Sequence, residues 1–246
     1  MSEMPGKVGV ILAAGFGSRL ASDDSGNQPK PLIRVGGMPL ILRAVRGLTL
    51  SGCREVVIVL GFESEGIQSA LESEYTGSVP LRFVLNERFD LQNGVSVLAA
   101  TPHIRDTFLL VMADHVVGDD VMKLAGAHAP VDGGATLLVD YNIDSVFDLD
   151  DATKVLESDN RITSIGKTIE QYNCIDTGVF VCTRGLLSAL EVHFAAHGDV
   201  SLSDGVQTLA ASGRMRTLDI GDGFWQDVDT PEMLAHAERS LKAKDD

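Results

Sequence analysis

Cysteine, tryptophan and tyrosine are scarce here: three, one and three among 246 residues. Cys53, Cys174 and Cys182 form an odd set without metal-ligand spacing, which argues against a disulfide framework and for buried thiols in a reducing cytoplasm. No run of 18 apolar residues occurs, so no membrane-spanning helix is expected. Positive charge is in deficit, with 20 Lys and Arg against 35 Asp and Glu and a net charge of -15. A field of that sign argues against duplex nucleic acid and anionic membrane surfaces as partners. It leaves room for a small phosphorylated ligand, because one loop can be locally positive and a divalent cation offsets carboxylates. Internal repeats and low-complexity linkers are absent. A signal peptide is not expected either, since the apolar run Val8 to Ala14 enters a glycine loop without a cleavage site.

What is present is ordinary globular material, 44% hydrophobic and 22% charged. It reads as one continuous domain over residues 1–246, with a change of pattern at about residue 133. Residues 7–12, 56–60, 81–85 and 108–112 are unalternated apolar runs and read as buried strands. Met38, Ile41, Leu42, Val45 and Leu48 repeat at helical spacing, and 64–74 and 94–101 also read as helices. Apolar strands with helices between them predict a parallel sheet covered on both faces. In the second half, 134–139, 152–157, 161–166 and 176–182 read as strands joined by turns such as Ser158-Asp159-Asn160. Helices are expected at 184–192, 203–211 and 231–243, the last with Pro231 in its first turn.

The first motif is Leu12-Ala13-Ala14-Gly15-Phe16-Gly17-Ser18-Arg19-Leu20 at the end of the first strand. Its glycines permit close backbone approach to a phosphate, and its alanines leave room for a flat base. A dinucleotide fingerprint would need a third glycine where Leu20 stands, and the Walker A ending is missing. Gln28-Pro29-Lys30-Pro31-Leu32 follows instead, a lysine framed by two prolines that restrict its backbone. Together these segments resemble the signature of the nucleotidyltransferases that make nucleoside-diphosphate sugars and alcohols. The resemblance implies that the loop backbone cradles a nucleoside triphosphate and that Arg19 and Lys30 neutralise it.

Val111-Met112-Ala113-Asp114-His115 places an acid at the C-terminal end of a buried strand, the edge where open α/β sheets bind ligands. Far along the chain, Trp225-Gln226-Asp227-Val228-Asp229-Thr230-Pro231 carries Asp227, while Asp229 or Thr230 suits a helix N-cap. In the resembled family, acids matching Asp114 and Asp227 hold Mg2+ against the nucleotide phosphates, a donor set that suits a hard cation. Asn86, Asn93, Gly94 and Ser96 offer amide and hydroxyl groups for a base edge and ribose, with Gly94 permitting close approach. Similar Asn-rich segments contact base and sugar in the family.

The acceptor is narrowed by three further segments: Asp151 to Val155, Arg161 to Lys167, and Cys174 to Phe180. With Met112 to His115 they resemble the inositol-1-phosphate cytidylyltransferases that feed inositol phospholipid synthesis. In related sugar enzymes the lysine matching Lys167 binds the acceptor phosphate, in a Glu-Lys-Pro sequence where this chain has Gly166-Lys167-Thr168. Lys154 is expected near the same cleft, and Asp140, Asp144 and Asp176 are candidates for polyol hydroxyls. His115 is expected to orient its neighbours rather than act as a base, because a phosphomonoester is already largely a dianion at neutral pH.

The fold expected from this reading is α/β and Rossmann-like: a mostly parallel central sheet with helices on both faces and a mixed or antiparallel annex in the second half. Residues 1–132 would bind the nucleotide and residues 133–246 the acceptor. The expected reaction joins CTP to inositol 1-phosphate with Mg2+, in the cytoplasm. Other acceptors (phosphocholine, a phosphonate, a sugar 1-phosphate) and a non-catalytic regulatory subunit remain alternatives. A membrane CDP-alcohol phosphotransferase, fused or separate, is the expected partner, and the charged tail Leu241 to Asp246 is compatible with a junction to one.

Overall fold

The computed structural model describes residues 6–16 and 28–245. Strand β1 (Val8–Ala13) is buried along its whole length. The short hairpin β2 (Arg34–Val35) and β3 (Met38–Pro39) leads into helix α1 (Leu40–Leu50), which starts directly after Pro39. Strand β4 (Glu55–Leu60), helix α2 (Ser64–Glu74), strand β5 (Leu81–Leu85), helix α3 (Asn93–Ala99) and strand β6 (Phe108–Met112) follow. β5, β4, β1 and β6 are parallel neighbours, with Leu12 aligned to Val59 on one side and Met112 on the other.

Alternate residues of these strands feed opposite faces, and both faces are dry. Val8, Val10, Leu12, Val57 and Val59 pack on one side, Ile11, Ala13, Val56, Ile58 and Leu60 on the other. That two-sided burial is why the strand sequences are apolar without alternation.

Strand β7 (His115–Val117) and helix α4 (Asp119–Ala127) intervene before the second half begins with β8 (Ala135–Asp140). β9 (Lys154–Ser158) and β10 (Arg161–Gly166) form a hairpin whose turn residues Asp159 and Asn160 both take positive φ, as a tight two-residue turn demands. β11 (Cys174–Cys182), α5 (Arg184–His197), α6 (Leu202–Ala211), β12 (Met215–Asp219), β13 (Trp225–Asp227) and α7 (Pro231–Asp245) complete the chain. Helices α1, α2 and α4 cover one face of the sheet, and α3, α5 and α6 cover the other. Among the described residues, no helix is long and apolar enough to cross a membrane.

The α/β class and the two helical layers agree with the sequence reading, but the sheet is not mostly parallel. Its nine strands run β5-β4-β1-β6-β11-β8-β12-β10-β9, and every pairing beyond β6 is antiparallel except β8 with β12. Nor do the later strands form an annex: β11 sits beside β6 in the same sheet. β9 also pairs with β11, so the second half curls back on itself in a barrel-like arc. Bends at bulges in β10 and β11 permit that closure.

The layers meet closely where α5 begins. A Cβ at Gly185 would lie 2.0 Å from the carbonyl oxygen of Gly133, a backbone atom that cannot rotate away. Gly185→Ala is expected to destabilise the fold by about 1–3 kcal/mol through overpacking. Urea unfolding with an unchanged slope and a lowered midpoint is the expected result; an unchanged midpoint contradicts this packing.

Candidate active site

The C-terminal ends of β1, β4 and β6 lie side by side, so Gly15, Gly61 and Asp114 emerge at one edge of the sheet. Ala113 N–H donates to Leu12 O at 3.0 Å and Phe62 N–H to Ala14 O at 3.2 Å, which fixes that edge. Leu12, Ala13 and Ala14 are buried in strand and core, while Gly15 and Phe16 face solvent. Phe16 packs against Phe62 and Phe89, each with ring centroids 5.4 Å away. Gly17, Ser18 and Arg19 lie outside the described residues.

Asp227 reaches the same edge through a three-residue ladder. β13 pairs antiparallel with β7, setting Asp227 opposite His115, and Val228 N–H donates to Asp114 O at 2.9 Å. Lys30 arrives on a 3-10 turn, Lys30–Leu32, whose Pro31 is buried. Its ammonium donates to Asp114 Oδ2 at 2.7 Å and also to Asp229 Oδ1. The other Asp114 oxygen, Oδ1, lies 2.8 Å from His115 Nδ1. Gly178, at φ +75°, lets the imidazole lie flat here: a Cβ there would sit 2.8 Å from its Cδ2 and Nε2. Gln226 donates to Asp227 Oδ1 at 3.0 Å, and Gln226 Oε1 lies 3.1 Å from His236 Nδ1.

The charges are mutually dependent. Burial alone would raise Asp114, but the His115 hydrogen bond and the Lys30 ammonium outweigh it and hold the carboxyl well below its usual range. Burial would lower His115 and Lys30, yet the carboxylates beside them push both upward. Asp227 is raised by burial and by the like charges of Asp229 and Asp114, with His115 opposing. Asp176, on β11, accepts from Gly178 N–H at 2.7 Å and is nonetheless pushed up by burial to about 6.

A cleft of about 260 Å³ joins this cluster to the curled half of the sheet. Asp114, His115, Asp176 and Asp227 line it, together with Asp151, Lys167 and Asp229. Lys167 donates to Asp151 Oδ1 at 2.8 Å. Lys154, expected near the same cleft as Lys167, does not line it. Lys154 starts β9 buried, and its ammonium donates to Asp150 O at 2.9 Å. Asp144 is exposed on a 3-10 turn and does not line the cleft. Asp140 accepts from Trp225 Nε1 at 2.8 Å and so supports the wall behind.

Of the Asn-rich group, Asn93 lines the cleft, and its side-chain oxygen accepts from Leu202 N–H at 2.9 Å. Asn86 and Ser96 hydrogen-bond each other at 3.0 Å and are both buried. Gly94 serves close packing within the protein: a Cβ there would lie 2.6 Å from Val200 O. Asp229 is the residue that sequence reasoning passed over. Thr230 caps α7, accepting from Met233 N–H at 3.2 Å, which leaves the Asp229 carboxylate on Lys30.

Residues 9–147, more than half of the chain, match the MobA-like NTP transferase domain. The chain belongs to this family. The family region carries all of β1 but its first residue, together with Lys30 and Asp114, whereas Asp227 and Asp229 lie beyond it. Among curated relatives, the "Bifunctional IPC transferase and DIPP synthase" of Rubrobacter xylanophilus is 33% identical over 244 residues, covering 96% of this chain and 53% of the relative. The protein of that name from Archaeoglobus fulgidus is 32% identical over 232 residues, covering 94% and 43%. The chain thus spans about half the length of the curated relatives it matches. Among solved structures, the inositol-1-phosphate CTP transferase from T. maritima is 28% identical with a TM-score of 0.81, covering 96% of this chain and 97% of that one.

The raised Asp176 carboxyl yields a pH signature. Its ordinary value is near 4, so the folded state binds its proton more tightly than the unfolded chain does. Its contribution to stability is therefore lost as pH rises from about 4 to about 6. Asp176→Asn is expected to flatten that part of the stability profile. In carboxyl-labelled protein, the Asp176 NMR resonance should titrate near pH 6 and Asp114 below the usual range; two ordinary midpoints contradict the described electrostatics.

Proposed function

We propose that this protein is a cytidylyltransferase that joins CTP to inositol 1-phosphate, giving CDP-inositol and pyrophosphate. The observation that carries the reading is a cleft lined by Asp114, Asp227, Asp176 and Lys167, with the Lys30 ammonium bonded to Asp114. The names of the relatives, IPC transferase and inositol-1-phosphate CTP transferase, support the choice of donor and acceptor.

The acceptor phosphate, largely a dianion at neutral pH, needs no base. One of its oxygens attacks the α-phosphorus in line, the new P–O bond forms as the bond to the β-phosphate oxygen breaks, and pyrophosphate leaves. Positioning and charge stabilisation then carry the rate. Lys30, held by Asp114 and Asp229, would neutralise the triphosphate, the role the sequence also assigns to Arg19. Lys167 steers the acceptor phosphate, and Asp176 accepts from an acceptor hydroxyl. His115 orients Asp114 through its 2.8 Å contact.

Asp114 and Asp227 would hold Mg2+. Among the described residues, no three His, Cys, Asp or Glu side chains group as a metal site. Two carboxylates fit Mg2+ because that ion keeps waters and takes its remaining ligands from substrate phosphates. When bound it would supply charge neutralisation for the triphosphate. A cytoplasmic location is proposed with this chemistry, and a membrane CDP-alcohol phosphotransferase, fused or separate, would consume the product.

Pyrophosphate release measured for four nucleotides against several phosphorylated alcohols should be fastest with CTP and inositol 1-phosphate. Excess chelator should abolish it, and full activity in chelator contradicts the Asp114–Asp227 assignment. Lys167→Ala should raise KM for inositol 1-phosphate about five- to thirtyfold, or ~1–2 kcal/mol, with Kd for CTP nearly unchanged. The lower part of the charge-assisted range applies because Lys167 is half exposed and shares its ammonium with Asp151. Equal weakening of both substrates would place Lys167 on the triphosphate side.

A further inference from the structure

We infer that Asp229 is the positioning residue for Lys30, keeping the ammonium beside the cleft-lining Asp114 when that carboxylate engages substrate. The inference rests on the nucleotidyl-transfer reading above. The Lys30 side chain is only 9% exposed, and its ammonium bridges Asp114 Oδ2 and Asp229 Oδ1. A lysine ends in a compact charge on a flexible stem, so its place is set by what holds the ammonium rather than by the stem. Asp114 cannot be that anchor throughout a reaction cycle. One of its oxygens lies on His115 Nδ1 and the other on Lys30, so a cation or ligand that Asp114 takes up competes with Lys30 for the same carboxylate charge.

Asp229 is placed to remain. It comes from a different segment, between β13 and α7, and its backbone is fixed on both sides. Val228 N–H donates to Asp114 O, and Asp229 N–H lies 3.2 Å from Met233 Sδ. Thr230 supplies the helix cap, so the Asp229 carboxylate is not needed there. Pro29 and Pro31 fix the Lys30 backbone on its side. Asp229 touches no reacting atom in this account; it acts through the lysine.

The test compares Asp229→Asn, Asp229→Glu, Lys30→Ala and the Asp229→Asn/Lys30→Ala double variant. The first readout is the 1H–15N spectrum of lysine ammonium groups in nucleotide-free protein, where a hydrogen-bonded ammonium gives a slowly exchanging signal. The signal missing in Lys30→Ala identifies Lys30. It should broaden and exchange faster in Asp229→Asn, where Asp114 alone still accepts from Lys30, and keep its wild-type protection in Asp229→Glu. The second readout is kinetic. Asp229→Asn should lower kcat about ten- to a hundredfold with Kd for CTP changed less than about threefold. Asp229→Glu should recover most of the loss, and Asp229→Asn should cost nothing further in the Lys30→Ala background.

A Lys30 signal unchanged in Asp229→Asn overturns the inference. So does an equal loss of kcat from Asp229→Asn with and without Lys30. Melting is followed in parallel, and if Asp229→Asn does not fold the comparison is made on Asp229→Ser. If wild-type protein fails to turn over CTP with inositol 1-phosphate, the functional reading fails, and the ammonium spectra alone decide whether Asp229 holds Lys30.

Discussion

The site depends on a ladder of three residue pairs. β7 and β13 are too short to be stable alone, yet their pairing is what sets Asp227 opposite His115 and ties Val228 to Asp114. Val116 in β7 and Val228 directly after β13 are both buried, in a small cluster with Ile33, Val35, Leu40 and Ala237. That cluster joins the hairpin after Lys30 to the segment carrying Asp229. Packing of a few aliphatic side chains thus fixes the separation of three carboxylates and one ammonium.

Holding Asp114, Asp227 and Asp229 together is electrostatically unfavourable, and the structure offsets it locally. Lys30 and His115 are drawn toward their charged forms, Asp114 is held ionised, and Asp227 is left raised by its neighbours. A cleft of this kind is incomplete without further positive charge, which suits a polyanionic substrate arriving with a cation. The chain's net charge of -15 is no obstacle, because Lys167 lines the cleft and Lys30 is bonded to two carboxylates that do.

Much of this was legible in the sequence, for identifiable reasons. The first four core strands were readable because burial on both faces removes polar residues from them. Lys30 stood out because a lysine between two prolines suits no regular element, and Asp114 because it ends an apolar strand at the ligand-binding edge of a sheet in a chain that resembles the nucleotidyltransferases. The strands β7 and β13 were not, since three residues hold no period. Sheet direction after β6 depends on loop paths that residue patterns do not record. Lys154 and Lys167 looked equivalent as hairpin lysines; only the register, Gly166 opposite Lys154, puts one inside the fold and the other past the strand end. Gly94 signalled a close approach correctly, but a sequence does not say whether ligand or backbone is approaching. Asp229 and Thr230 both suit an N-cap, and the structure chose the threonine.

In the proposed reaction the cleft achieves transfer by positioning two phosphates, without a protein nucleophile. The most direct measurement is the stereochemical course at the α-phosphorus, using CTP made chiral there with sulfur or oxygen isotopes. A single in-line displacement predicts inversion of configuration in the CDP-alcohol product. Net retention would require two successive displacements through a nucleotidylated side chain, and would contradict the account.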